Sequence, residues 1–277
     1  MPGGSFRMGD AWAEGYPADG ETPVHEVFLD PFRIDTTAVT NAQFAQFVQA
    51  TGYTTDAQRL GSSSVFHLAV AAASTDVLGQ SPTSPWWWEV RGADWAHPGG
   101  PCSDLHGLDA HPVVHVSHAD ALAYCQWAGR RLPTEAEYEY AARGGLEGQR
   151  YPWGDALCPD GVHQANIWQG IFPLDNLQED GHLFTCPVRS FPANGFGLFE
   201  MSGNVWEWCS DWFSPSYYQR SVRHNPAGPA SGFARVTRGG SYLCHASYCN
   251  RYRVAARTSN TPDSSAGNCG FRTVGLP

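Results

Sequence analysis

The chain has 277 residues, a net charge of −10, 13 % aromatic and only 16 % charged residues, and 30 glycines with 20 prolines. That length buries a core without crosslinks, and the mixture suits a loop-rich α+β domain spanning 1–277, with little regular secondary structure and aromatic residues supplying the core. The acidic balance excludes nucleic acid as a partner, since that needs clustered Lys and Arg. No apolar run approaches the roughly 18 residues of a membrane span.

Residues 1–39 read as short strands and turns, with hydrophobic alternation from Val24 to Leu29. The first helix is predicted over 41–49, capped by Thr40, stopped by Gly52, and striped by Phe44, Phe47 and Val48. Residues 54–85 carry no periodicity that assigns them. Trp86, Trp87, Trp88 and Trp95 follow, as core or as one wall of a groove. His111 and His115 fall on one face of a predicted strand as structural histidines. Ser117 caps a helix over 118–129 with Leu122 and Cys125 on one face, and Thr134 with Glu137 makes a capping box for a helix over 135–143. Both helices are expected to pack on a sheet. Glu135, Glu137 and Glu139 resemble paired catalytic carboxylates, but two of them lie in the first helical turn, where anions complement the dipole, which favours capping. Beyond Tyr151, short strands and turns dominate, with Trp153, Trp168, Trp206, Trp208 and Trp212 as core anchors. The N-terminus lacks a basic segment followed by an apolar one, so cytoplasm is the expected compartment. The eight scattered cysteines are expected to be mostly free thiols.

The chemistry concentrates between Arg238 and Arg272. Cys244 and Cys249 are five residues apart, which a strand would separate by about 16 Å onto opposite faces and a helix would splay. A bend through His245-Ala246-Ser247 brings the sulfurs together. Such a pair can be two buried thiols, a disulfide, or a soft-metal or redox pair. Two thiolates without nearby carboxylates suit Cu(I) better than Mg²⁺ or Ca²⁺, and zinc would want four ligands. Ser241 and Tyr248 flank the pair, close enough in sequence to hydrogen-bond an oxygen species or relay a proton or hydrogen atom. Asn260, Asp263, Ser264, Ser265 and Asn268 form a polar loop suited to gripping an extended peptide. Arg251, Arg253 and Arg257 are too many for one role, and some are expected to pair with buried carboxylates.

Across nearly its whole length the chain resembles the formylglycine-generating enzymes, or sulfatase-modifying factors. The segments that carry the resemblance are MPGGSFRMG, HPVVHVSHADALAYCQWAGRRLPTEAEYEYAARGG, ANIWQG, GNVWEW, RGGSYLCHASYC and NTPDSSAGNCGFR. RLPTEAE, GNVWEW and RGGSY mark the broad superfamily; the Cys-x-x-x-x-Cys of SYLCHASYC is more specific. The resemblance implies a variant C-type lectin-like fold. It also implies oxidation, with O₂, of a cysteine in a Cys-x-Pro-x-Arg motif of sulfatases to Cα-formylglycine, with Cu(I) bound by Cys244 and Cys249. Trp206 is implied as a pocket wall. Two structural Ca²⁺ ions are implied: one at Asn166, Ile167, Asp180 and His182, the other at Glu200, Gly203, Val205 and Glu207, where an asparagine is expected at 200. Cysteines expected near Ala142, Val254 and Thr273 are absent, as suits a reducing compartment. Three rivals remain: an iron enzyme joining sulfur to a histidine derivative, a non-catalytic binding module on the same scaffold, and a metal-free thiol oxidoreductase.

Overall fold

In the computed structural model, which describes residues 1–276, the alternation near the N-terminus forms a ribbon. Strand β1 (Gly4–Met8) pairs antiparallel with β2 (His25–Leu29) and turns Phe6, Met8, Val27 and Leu29 into one core cluster. Helix α1 (Asn41–Thr51) starts where Thr40 accepts the Gln43 N–H and the Gln43 side chain returns to the Thr40 N–H, and it ends on left-handed Gly52. Phe44 and Phe47 are fully buried against Tyr124 and Trp95. The unassigned stretch opens with a short helix α2 (Asp56–Leu60), held by the same capping device on Thr55 and Gln58. Strands β3 (Ser62–Phe66), β4 (Val77–Gln80) and β5 (Trp87–Arg91) then form an antiparallel sheet with β5 in the middle and β4 on one edge.

Helix α3 (His118–Ala128), strand β6 (Arg130–Arg131) and helix α4 (Glu135–Arg143) follow, with the capping residues Ser117 and Thr134 in place. Strands β7 (Gly170–Ile171) and β8 (Asp175–Asn176) make a small hairpin. The main sheet has the order β11-β10-β9-β12, built from β9 (Trp206–Trp212), β10 (Arg235–Arg238), β11 (Arg257–Asn260) and β12 (Cys269–Gly270). Only β12 runs parallel to its neighbour. Finally β13 (Val274–Gly275) returns to pair with β6. No helix among the described residues is long and apolar enough to cross a membrane.

Four expectations differ from the structure. Helix α3 buries Ala121, Tyr124 and Cys125 while Leu122 points outward, so Leu122 and Cys125 do not share the inner face. It also leans on α1 and the two-residue β6 rather than on a broad sheet. Residues 111–115 form no strand, because Pro112 and the left-handed His115 interrupt it. Both histidines are nonetheless satisfied: His111 Nδ1 lies 2.9 Å from Thr185 Oγ1, and His115 lies 2.8 Å from both Ser63 Oγ and the Pro98 carbonyl. Glu137 does cap α4 and pairs with Arg131, but Glu135 and Glu139 do something else. Every residue of α4 is buried, so these carboxylates must find charge inside the protein.

Arg257 holds Glu135 at 2.5 and 2.7 Å, Arg143 reaches Glu139 at 2.6 Å, and Arg238 bonds Glu139 while lying 3.4 Å from Glu135. Burial pushes the Glu139 carboxyl up, but Arg143 and Arg238 outweigh it and hold it below its ordinary range. Arg253 makes a two-pronged pair with Glu21 at 2.8 Å, and Arg251 binds Asp19. This network locks α4 to β10 and β11, the strands that bracket the Cys244–Cys249 loop.

Candidate functional site

The loop that carries the two cysteines is shaped by the Arg238-Gly239-Gly240 turn. Both glycines have positive φ, and a Cβ would sit 2.5 Å from the Tyr138 hydroxyl at Gly239 and 2.9 Å from the Arg251 carbonyl at Gly240. The chain can thus fold tightly back on itself. The Cys244 N–H donates to the Ser241 carbonyl at 2.8 Å, and the Tyr248 and Cys249 N–H groups donate to the His245 carbonyl at 3.0 and 2.7 Å. This is the bend expected through His245-Ala246-Ser247. It places the two thiols in hydrogen-bonding contact with each other, both buried.

Their surroundings differ. Burial drives the Cys244 thiol well above its ordinary range, and the contact with Cys249 adds to this. Cys249 is pulled below its ordinary range, first by the hydrogen bond from Cys244, then, against burial, by the Arg251 guanidinium and backbone N–H. Of the two thiols, Cys249 is therefore the one whose surroundings favour the thiolate. Arg251 is among the arginines expected from the sequence to pair with buried carboxylates, but its contact with Cys249 is not foreseen there. A cation two positions past a cysteine was the available signal, and its ion pair with Asp19 at 2.6 Å holds it in place.

Both sulfurs lie on the wall of a cavity of ≈ 320 Å³. Ser241, Trp206 and Tyr248 also line it, as do Asn260, Ser264, Ser265 and Asn268 of the polar loop. Asp263 is exposed and outside that lining. Asn268 Nδ2 donates to Ser241 Oγ at 3.0 Å, and the Trp206 N–H donates to the Asn268 carbonyl at 2.8 Å. Ser265 Oγ lies 2.6 Å from Ser63 Oγ, tying the loop to His115. Tyr248 stacks on Phe172 with centroids 4.5 Å apart and meets the edge of Trp86 at 4.6 Å, and burial raises its hydroxyl to about 12. Trp86 and Trp87 line the cavity while Trp95 belongs to the core, so the tryptophan cluster is divided between the two roles. All eight cysteines are free.

The donor chemistry distinguishes the implied metals. Two adjacent soft sulfurs, with no carboxylate lining the cavity, fit a monovalent soft ion such as Cu(I). At the first oxygen-rich set, Asp180 accepts the Ile167 and His182 N–H groups at 3.1 and 2.9 Å, and the Gln169 amide lies against both Asp180 Oδ2 and the Ile167 carbonyl. Two oxygen acceptors, Asp180 Oδ2 and the Ile167 carbonyl, thus converge on the Gln169 amide nitrogen, and hard oxygen donors of this kind suit a calcium ion. At the second, Arg272 already grips Glu207 at 2.6 and 2.7 Å, both side chains fully buried, and Glu200 accepts the Arg189 and Phe191 N–H groups. A divalent ion there would have to share the Glu207 carboxylate with the Arg272 guanidinium, so this set fits less well than the first.

Residues 1–275 match the family described as the sulfatase-modifying factor enzyme 1-like domain. The chain is similar to the formylglycine-generating enzyme of Streptomyces coelicolor, 67 % identical over 98 % of this chain and 87 % of that protein. It is also similar to the formylglycine-generating enzyme of Thermomonospora curvata, 56 % identical over 100 % of this chain and 92 % of that one. Among solved structures, PvdO from Pseudomonas aeruginosa superposes with a TM-score of 0.71 over 99 % of this chain and 92 % of that chain, at 23 % identity. That likeness speaks to the fold: the loop-rich α+β architecture is the C-type lectin-like fold of sulfatase-modifying factors.

Proposed function

The chain belongs to the sulfatase-modifying factor family of formylglycine-generating enzymes, and on that premise we propose that it oxidises a cysteine of a sulfatase polypeptide, within a Cys-x-Pro-x-Arg motif, to Cα-formylglycine. The observation that carries this reading is the buried Cys244–Cys249 pair, folded back on itself in the wall of a cavity of ≈ 320 Å³. Conversion of a CH₂SH group to an aldehyde with O₂ releases sulfide and water, and takes up two electrons and two protons from an external thiol reductant. Cu(I), held by Cys244 and Cys249, would supply the one-electron chemistry with O₂ that this oxidation needs.

The chain's own residues do the rest. Arg251 and the thiol of Cys244 shift Cys249 toward the thiolate form that a soft cation binds. Ser241 and Asn268, hydrogen-bonded to each other, offer polar groups beside the sulfurs to orient an oxygen atom or hold a proton. Tyr248, braced by Phe172 and Trp86, closes one side and limits water. Asn260, Ser264 and Ser265 would grip the substrate backbone. A calcium ion at Asn166, Ile167, Asp180 and His182 would tie together loops that have little regular structure of their own.

The test is aerobic turnover of a short Cys-x-Pro-x-Arg peptide, with and without added copper, read by the mass loss that accompanies aldehyde formation. The reading predicts copper-dependent conversion. No conversion under any copper loading refutes it. Conversion that survives a strong Cu(I) chelator would instead favour a Cys244–Cys249 disulfide cycle without metal.

A further inference from the structure

A relay of one imidazole and two hydroxyls runs from the core to the wall of the main cavity. His115 is fully buried and holds a left-handed backbone, φ 56°, which is costly for a non-glycine residue and persists only where the surroundings fix it. Its N–H donates to the Ala266 carbonyl at 3.0 Å, and a Cβ on Gly267 would come 3.2 Å from its Nε2, so the ring is seated directly behind the polar loop. Nε2 lies 2.8 Å from the Pro98 carbonyl, and Nδ1 lies 2.8 Å from Ser63 Oγ. Ser63 Oγ lies 2.6 Å from Ser265 Oγ, and Ser265 lines the cavity beside Ser264.

The direction of each proton follows from the buried end. A carbonyl only accepts, so Nε2 carries the ring proton. Burial lowers the imidazole to about 4 and leaves it neutral, so Nδ1 is an acceptor. Ser63 therefore commits its one hydroxyl proton to Nδ1 and can only accept from Ser265. Ser265 has then committed its own proton inward and shows the cleft lone pairs alone. Ser264 reaches the same state by a separate route, donating to the Thr261 carbonyl at 2.8 Å.

We infer that His115 is a positioning residue that fixes Ser265 as a pure hydrogen-bond acceptor for a backbone N–H of the bound polypeptide. The inference rests on the reading of the main cleft as a polypeptide site and specifies which side of the peptide bond this wall takes. A carbonyl presented to Ser265 would face lone pairs and find no proton. An amide N–H finds an acceptor whose orientation is set before binding.

Two measurements test this without turnover. Nitrogen NMR of the histidine rings, with the His115 signals identified by their loss in His115→Gln, should show a protonated Nε2 and an unprotonated Nδ1 near neutral pH. A protonated Nδ1 overturns the inference whatever the cleft binds. The second is binding of fluorescent Ser-x-Pro-x-Arg peptides, serine replacing the reactive cysteine, in which each backbone N–H in turn is replaced by an ester oxygen. At least one replacement should weaken binding to the wild type by roughly fivefold, the worth of one hydrogen bond. Folded Ser265→Ala should lose that penalty, and Ser63→Ala, which frees the Ser265 proton to point into the cleft, should reduce it. Equal binding of parent and esters by the wild type, or an unchanged penalty in Ser265→Ala, overturns the inference. Failure of the wild type to bind even the all-amide parent removes the polypeptide-site reading and the inference with it, an outcome distinct from equal binding of all.

Discussion

Replacing Glu135 by alanine should destabilise the protein by about 3–5 kcal/mol, the cost of breaking a buried ion pair from one side. Its carboxylate is 2 % exposed and accepts from Arg257 at 2.5 and 2.7 Å, from the Tyr218 hydroxyl at 3.2 Å and from Arg238 at 3.4 Å. Arg238 keeps Glu139, but Arg257 would be left with carbonyls alone, Ser214 at 3.1 Å and Asp19 at 3.2 Å. Against a total stability of about 5–15 kcal/mol, that loss shifts the midpoint for thermal unfolding by on the order of 10 °C. Urea unfolding followed by tryptophan fluorescence measures it. The double replacement Glu135→Leu with Arg257→Met should cost less than Glu135→Ala alone, because no charge is then stranded. A loss below about 1 kcal/mol for Glu135→Ala, or a double variant less stable than Glu135→Ala, would refute the assignment of this network as the anchor of the main sheet.

Other consequences follow from the same reasoning. Burial, with repulsion from Glu135, raises the Asp211 carboxyl to about 7. Between about pH 4 and 7 the native state thus holds a proton that the unfolded chain has released, and stability falls as pH rises, by up to about 1.4 kcal/mol per unit. Asp211→Asn should gain on the wild type in urea unfolding between about pH 5 and 8, and a constant difference would contradict this. Burial lowers His115 to about 4, so its contribution is present above the ordinary value of 6.5 and is lost as pH falls toward 4. His115→Gln should therefore lose less stability on acidification through that window than the wild type does; equal slopes would count against it. Elemental analysis after desalting should find calcium in the wild type and none in Asp180→Ala, and added calcium should raise only the wild-type melting temperature. A calcium-free wild type with unchanged stability would remove that site.

Much of the fold is visible in local sequence signals. Thr40, Ser117 and Thr134 mark their helices because a capping residue and its returning partner lie within three positions. The same signal on Thr55 is hidden because its helix has only five residues and no apolar stripe. Leu122 is misleading because hydrophobicity alone does not give a helix its phase; the inner face is set by Tyr124 and Cys125 meeting α1 and the main core. Glu135 depends on Arg257 and Glu139 on Arg238, each about a hundred residues away, which no local pattern reveals; only the Arg143 partner of Glu139 is a local pair. In the site, the five-residue cysteine spacing announced a bend because regular structure fails there. Asp263 and Asn268 look equivalent as polar loop residues, yet only Asn268 turns into the cleft.

The most direct measurement is Cu(I) titration against a competing chelator for the wild type, Cys244→Ser and Cys249→Ser, with peptide oxidation followed in the same samples. One Cu(I) per wild-type chain is expected, with both binding and aldehyde formation lost in either folded variant. Undiminished copper affinity or unchanged turnover after either substitution would contradict the account.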